Sequence, residues 1–142
     1  GFVEYIDDWD HWGAQITHDL GNTDIAFSPS LTAGSNLEWA PSKKIGINFQ
    51  SLYVSRQYLD NTSNTDRSLN PYFVNNLRIE TTISQKFAKK WSFFASLNNI
   101  FNRKYESNGW VYSYYSEGAR QKEDGYFPQA GISYLLGMSI EF

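Results

Sequence analysis

Apolar and polar positions alternate with period two through most of this chain, and the last stretch shows it most plainly. Counting back from the end, Phe142, Ile140, Met138, Leu136, Tyr134 and Ile132 are apolar or aromatic. Between them stand Glu141, Ser139, Gly137, Leu135, Ser133 and Gly131, mostly small or polar. The pattern predicts a strand over Gly131–Phe142 with one apolar and one polar face. Similar alternation predicts strands from near Phe27 to Trp39, over Ile45–Tyr58, over Tyr72–Lys86 and over Trp91–Tyr105. Gly1–Tyr5 reads as the end of another. Pro29 gives no amide to a ladder, so it belongs near a strand start, an edge or a bulge. The alternation blurs at Ser51, Leu52 and Val54, where a bulge is expected.

Pro41–Lys44 and Phe87–Lys90 read as short turns. Ile6–Asp24, Asp60–Pro71 and Glu106–Phe127 read as long loops, the first rich in aspartate and the last in aromatics. Long and short connections therefore alternate. Aromatics gather at strand ends: Trp39, Phe87, Trp91 and Phe142 at the short-turn end, and Phe27, Tyr58, Tyr72, Tyr105 and Phe127 at the other. Short turns on one side, long loops on the other and two aromatic girdles are the arrangement of an outer-membrane β-barrel. The expected fold is all-β, an antiparallel transmembrane barrel segment. Trp39, Tyr58, Tyr72, Phe87, Trp91 and Tyr105 are its interface aromatics. The competing architecture is a soluble up-and-down barrel or sandwich with its core on the apolar face.

Composition narrows the function. The chain has 142 residues, 18% of them aromatic, with net charge -3 and no cysteine. No basic stripe suits nucleic acid, and neither disulfides nor thiolate chemistry are available. Mean hydropathy is -0.52; no run is long and apolar enough for a transmembrane helix, which leaves a barrel open. The start of the sequence has no signal-peptide pattern. Five strands and part of a sixth are too few to close a membrane barrel, and open edges are not tolerated in lipid. A membrane reading therefore expects this chain to be the C-terminal part of a longer protein.

Candidate chemistry is sparse. His11 and His18 flank Asp7, Asp8 and Asp10, but exposed polar loops often look like this, and no metal site is assigned. Asp60–Asp66 lacks the glycine and glutamate of a calcium loop. Arg78 and Glu80 share one strand's polar face, as charges in a water-filled barrel do. No nucleophile elbow, phosphate loop or dinucleotide fingerprint occurs, so no enzyme activity is expected. Trp110, Tyr112, Tyr114, Tyr115 and Arg120 of the last long loop are the ligand-binding candidates, since amphipathic rings can stack on a ligand and hydrogen-bond to it.

Several blocks resemble one family. They are Phe27-Ser28-Pro29, Tyr58–Ser63, Leu69–Phe73, Leu97-Asn98-Asn99-Ile100-Phe101-Asn102-Arg103-Lys104-Tyr105, Tyr126–Gly131 and the terminal Phe142. Together they resemble the C-terminal end of a TonB-dependent outer-membrane receptor. The resemblance implies the last five to six strands of a twenty-two-stranded barrel. It implies import of a scarce ligand with energy relayed by TonB, with ferric siderophore, haem or cobalamin favoured over oligosaccharide. The plug domain, TonB box and earlier strands are not in this sequence. The resemblance gives Tyr134, Met138, Ile140 and Phe142 the role of a C-terminal signal for the barrel assembly machinery. It implies outer-membrane lipid as surroundings and no cofactor. A small non-transport outer-membrane barrel and a soluble calyx-type binding protein are the alternatives.

Overall fold

A computed structural model describes residues 3–7, 15–83, 90–116 and 119–141. The described chain is all-β with antiparallel pairing throughout. It divides into two compact units. One comprises Gly1–Ser30, Ser55–Pro71 and Tyr105–Pro128; the other comprises Leu31–Val54, Tyr72–Lys104 and Gln129–Phe142.

The second unit is an open five-stranded sheet. Its strands are β3 (Thr32–Ser42), β4 (Ile45–Val54), β7 (Tyr72–Ile83), β8 (Lys90–Asn98) and β11 (Ser133–Glu141). They lie in chain order, with β3 and β11 at the edges. The register explains why alternation was so clear. Leu37, Phe49, Leu77, Leu97 and Tyr134 form one cross-strand row, and Trp39, Ile47, Ile79, Ala95 and Leu136 the next. Directly paired residues share a face, so these rows build one continuous apolar surface. Among the described residues of this unit no helix and no second sheet covers it. Leu37, Trp39, Phe73, Leu136 and Met138 are each more than half exposed.

The polar face carries Asn36, Glu38, Asn48, Gln50, Arg78 and Glu80. The Asn48 amide donates to Asn36 Oδ1 at 2.7 Å and to Glu38 Oε1 at 3.4 Å. Arg78 meets Glu80 at 3.6 Å and stacks 4.1 Å above the Phe94 ring. Beneath that ring lies Gly137, the cross-strand partner of Phe94. A Cβ on Gly137 would run into the Phe94 ring. Gly137→Ala therefore forces the ring off its seat and the Arg78 stack with it. The expected loss is about 1–3 kcal/mol, read as a lower urea midpoint; an unchanged midpoint would show the stack to be dispensable.

Several expectations are corrected. The predicted bulge at Ser51–Val54 is absent, since Ser51 to Val54 pair without interruption on both sides. Polarity inverts there instead. Ser35, Ser51 and Asn75 form a polar row on the apolar face, and Leu52, Val54 and Val74 fall on the polar one. Ser51 Oγ donates to Asn75 Oδ1 at 2.6 Å, and Asn75 is 2% exposed. The real irregularity in this sheet lies between Trp39 and Ser42 of β3. It takes in Pro41, whose missing amide suits a bulge on an edge strand. The turn proper is Lys43–Lys44, where the Lys44 amide bonds Ser42 Oγ. The strand expected from Phe27 begins at Thr32, because Phe27 adopts a left-handed φ of 55°. The strand expected to reach Tyr58 ends at Val54, and the one expected to reach Tyr105 ends at Asn98.

Among its described residues the other unit holds three antiparallel pairs: β1 (Val3–Asp7) with β2 (Gln15–Asp19), β5 (Gln57–Tyr58) with β6 (Ser68–Leu69), and β9 (Glu106–Ser116) with β10 (Ala119–Pro128). The stretches Ile6–Asp24 and Glu106–Phe127, read from sequence as loops, thus contain paired strands. The second short turn expected at Phe87 lies outside the described residues.

An asparagine block closes the five-stranded sheet at the end where β8 finishes. Asn99, 5% exposed, has φ 50°. Its side-chain amide donates to Arg103 O at 2.8 Å and Ala130 O at 3.1 Å, while its Oδ1 accepts from Arg103 N at 2.8 Å. Its own amide donates to Asn76 Oδ1 at 2.9 Å, and the Ile100 amide to Asn75 O at 2.9 Å. Asn102, with φ 51°, accepts from Ile132 N at 3.1 Å. The Asn-Asn-Ile-Phe-Asn block is therefore a clasp joining the exit of β8 to the entry of β11.

Candidate functional site

The five ligand candidates from sequence divide on the β9–β10 hairpin. Trp110, Tyr112 and Tyr114 alternate along β9 and so share one face. Across from them stand Gly125, Glu123 and Gln121. All three rings are exposed, at 47%, 60% and 39%. Tyr112 and Tyr114 lie 5.8 Å apart between centroids. The Trp110 indole occupies the space that a side chain at Gly125 would need. The register pairs Tyr115 with Arg120, one residue out of phase with this stripe; their side chains lie outside the described portion.

The hairpin's other face is anchored within its unit. A Cβ on Gly109 would lie 3.3 Å from Leu59 Cδ2 and 2.9 Å from Gly125 O, so no larger residue fits there. Lys122 Nζ donates to Asp66 O at 2.9 Å and pairs with Asp124 at 2.7 Å. The hydrogen bond to Asp124 also raises the Lys122 pKa. Burial and the Asp124 charge raise that of Tyr126.

The 57–69 stretch, read from sequence as the end of a strand followed by a polar turn-rich loop, is closely braced. Asp60 is its hub, accepting from Thr62 N at 3.0 Å, from Thr62 Oγ1 and from Arg67 Nη1 at 2.8 Å. Arg67 is 4% exposed and ends a 3-10 turn, Thr65–Arg67, whose start is capped by Asn64. The loop also holds residues before β3: Asn61 Oδ1 accepts from Ala26 N, and Ser63 Oγ from Asp24 N, each at 2.7 Å. Leu59 and Leu69, 6% and 1% exposed, form the apolar centre of this unit.

Burial opposes the Asp60 charge, but the hydrogen bonds from Thr62 and Arg67 outweigh it and hold the carboxyl below 3.8. A carboxyl depressed in the fold binds protons less readily than when unfolded. Its stabilising contribution is present above the unfolded value and disappears as pH falls through the folded one. Acid titration of the protein, followed by hydrogen exchange at the Leu59 amide, should show protection lost below pH 3.8. Asp60→Asn should flatten that dependence; an identical acid profile in the variant would assign the loss to other groups.

The remaining candidates scatter. Tyr134, Met138 and Ile140 line the apolar face of edge strand β11; Phe142 lies outside the described residues. Trp39 and Trp91 stand on that apolar face, whereas Tyr72 pairs with Val54 on the polar one. Tyr53 and Phe73, not singled out from sequence, face the apolar side at the long-connection end. Tyr58 and Tyr105 belong to the other unit, and Phe87 is outside the described residues. His18 is exposed in β2, while His11, Asp8 and Asp10 lie outside the described residues. Among the described residues no three His, Asp or Glu side chains gather to hold a metal. An open depression of about 610 Å³ on the sheet is lined by Glu38, Asn48, Gln50, Arg78 and Glu80, among others.

No protein-family profile matches the chain, and neither does any curated protein or solved structure.

Proposed function

We propose that this chain is the C-terminal barrel segment of a TonB-dependent outer-membrane receptor. In this reading it helps import a ferric siderophore, haem or cobalamin with energy relayed by TonB. The observation that carries the reading is the uncovered apolar face of the five-stranded meander, backed by a polar face rich in amides and charges. Leaving that face in water is costly at about 25 cal/mol per Å², and a bilayer removes the cost without a second protein layer. From Phe73 to Ile83 the face runs roughly 34 Å along β7, or ~24 Å across the membrane at a tilt of ~45°. That is close to the ~25 Å apolar band of outer-membrane barrels. The long connections leave the sheet at one end and the Lys43–Lys44 turn lies at the other, as the family's architecture requires. The Asn-Asn-Ile-Phe-Asn resemblance supports the finer assignment.

Two consequences follow for partners. The edges β3 and β11 carry unpaired backbone groups, each costing several kcal/mol in hydrocarbon. The reading therefore requires further strands against both. Outer-membrane lipid and the barrel assembly machinery are then the surroundings of β11, and the aromatic stripe of β9 is the part available to a ligand.

The test is to follow the native gene product with antibodies to this sequence. It should fractionate with the outer membrane, leave it only in detergent and have several times the 16.4 kDa of this chain. A soluble product near 16.4 kDa would overturn the reading. In the receptor, Trp110→Ala and Tyr114→Ala should each weaken binding of whichever of haemin, cyanocobalamin or ferrichrome the parent protein takes up. The expected loss is about 1 kcal/mol or more, roughly fivefold to tenfold. Unchanged affinity would remove the stripe from the site.

A further inference from the structure

We propose that Asn108 is a self-modifying site, where the Gly109 backbone nitrogen closes on the Asn108 side chain and converts it to aspartate and isoaspartate. The inference rests on local covalent geometry and stands apart from the transport reading. The Gly109 amide donates to Asn108 Oδ1 at 2.8 Å, so the Asn108 side-chain amide is already folded back toward the nitrogen that would attack it. Gly109 has no Cβ to obstruct the five-membered ring that the attack forms. Asn108 itself is exposed, which gives water and hydroxide access.

The ladder is weakened at this point. The register skips Ser107, so that Phe127 faces Asn108 and Pro128 faces Glu106. Pro128 brings no amide to the pairing, and an irregularity of this kind loosens the backbone beside it. The Asn108–Gly109 peptide therefore stands at the end of the regular ladder, directly beside the break.

The step balances without an outside oxidant or catalyst. The Gly109 nitrogen loses its proton and bonds to Asn108 Cγ. The Cγ–Nδ2 bond breaks, and the leaving group departs as ammonia with that proton. The product is a succinimide. Water then opens either carbonyl, giving aspartate by one route and isoaspartate by the other.

Both products disturb the aromatic stripe. Each places a new carboxylate two residues along the strand from Glu106. Isoaspartate also lengthens the backbone by one methylene between residues 108 and 109. Gly109 has no spare room, being buried where even a Cβ would meet Gly125 O and Leu59. The extra length must move Trp110 away from its place over Gly125. The site is then a one-way clock on the surface that carries Trp110, Tyr112 and Tyr114.

The experiment ages the purified full-length gene product at mildly alkaline pH, digests it with trypsin and sequences the Tyr105–Arg120 peptide by mass spectrometry. Asn108 is the only asparagine in that peptide. The expected result is loss of its amide before that of any other asparagine. Isoaspartate should be the larger product, and the tryptophan fluorescence should shift in step. Asn108→Gln, whose longer side chain closes the ring poorly, should abolish both changes while keeping the starting spectrum. Retention of the Asn108 amide while other asparagines convert, or conversion seen only in urea, would overturn the proposal. A fluorescence shift that persists in Asn108→Gln would sever the modification from the stripe.

Discussion

Asn99→Ala should lower stability by about 3–5 kcal/mol, one of the two largest single losses expected from this chain. The figure has two parts. Alanine at φ 50° costs on the order of 1 kcal/mol of backbone strain. The rest comes from the partners left behind: Arg103 N, Arg103 O and Ala130 O each lose their bond to the Asn99 side chain. Each such hydrogen bond contributes about 0.5–1.5 kcal/mol, and because Arg103 and Ala130 are exposed, water takes up part of the loss. Asn99→Gly separates the parts, since it keeps the left-handed backbone and loses only the bonds. Urea titration followed by tryptophan fluorescence should place the glycine variant between the parent and alanine. If both variants unfold with the parent, the clasp between β8 and β11 does not hold the sheet together.

Arg67→Met should be the second severe change, with an expected cost of about 3 kcal/mol. Arg67 is almost fully enclosed and pairs with Asp60 at 2.8 Å. Methionine fills much of the space but leaves the Asp60 carboxylate partly buried without its cation. That carboxylate keeps 26% exposure, so the cost falls at the low end for a broken buried pair. Adding Asp60→Asn to Arg67→Met removes the stranded charge and should recover a large part of the loss. Hydrogen exchange at the Leu59 and Ala26 amides is the readout, because both bond to the 57–69 loop. Unaltered protection at both amides in the single variant would show that the pair is incidental.

The sheet was legible because its period is two and one face is apolar almost without exception. A row such as Leu37, Phe49, Leu77, Leu97 and Tyr134 leaves no freedom in the choice of face. The same logic failed at Ser51. A polar residue on an apolar face looks, in one dimension, like a slipped register. Only the partners Ser35 and Asn75 show that polarity changed while the ladder did not. The β9–β10 hairpin reads in sequence as a long loop for a related reason. Beside the stripe of Trp110, Tyr112 and Tyr114 its two strands carry mostly small, polar and charged residues, so its alternation has little hydrophobic contrast.

The bracing of the 57–69 loop was hidden differently. Asn61, Ser63 and Asp60 are ordinary turn formers, and their contacts with residues 24 and 26 come from far along the chain. The asparagine block was visible as a motif, and the structure supplies its purpose. Of the site, sequence named the three residues of the exposed stripe and added Tyr115 and Arg120, which are out of step with it. It gave no hint of Gly125, the residue that makes room for the Trp110 ring.

The two largest excursions of the chain each depart from and return to neighbouring strands at the same end of the sheet. Residues 55–71 leave from Val54 and rejoin at its ladder partner Tyr72, and residues 99–132 leave from Asn98 and rejoin at its partner Ser133. The gap to be bridged is therefore one strand spacing, about 5 Å, however long the excursion becomes. Doubling its length adds only about 0.6 kcal/mol of closure entropy. Such a scaffold can exchange one insert for another at little thermodynamic penalty, so the inserts can vary in length as well as in sequence while the ladder beneath stays the same.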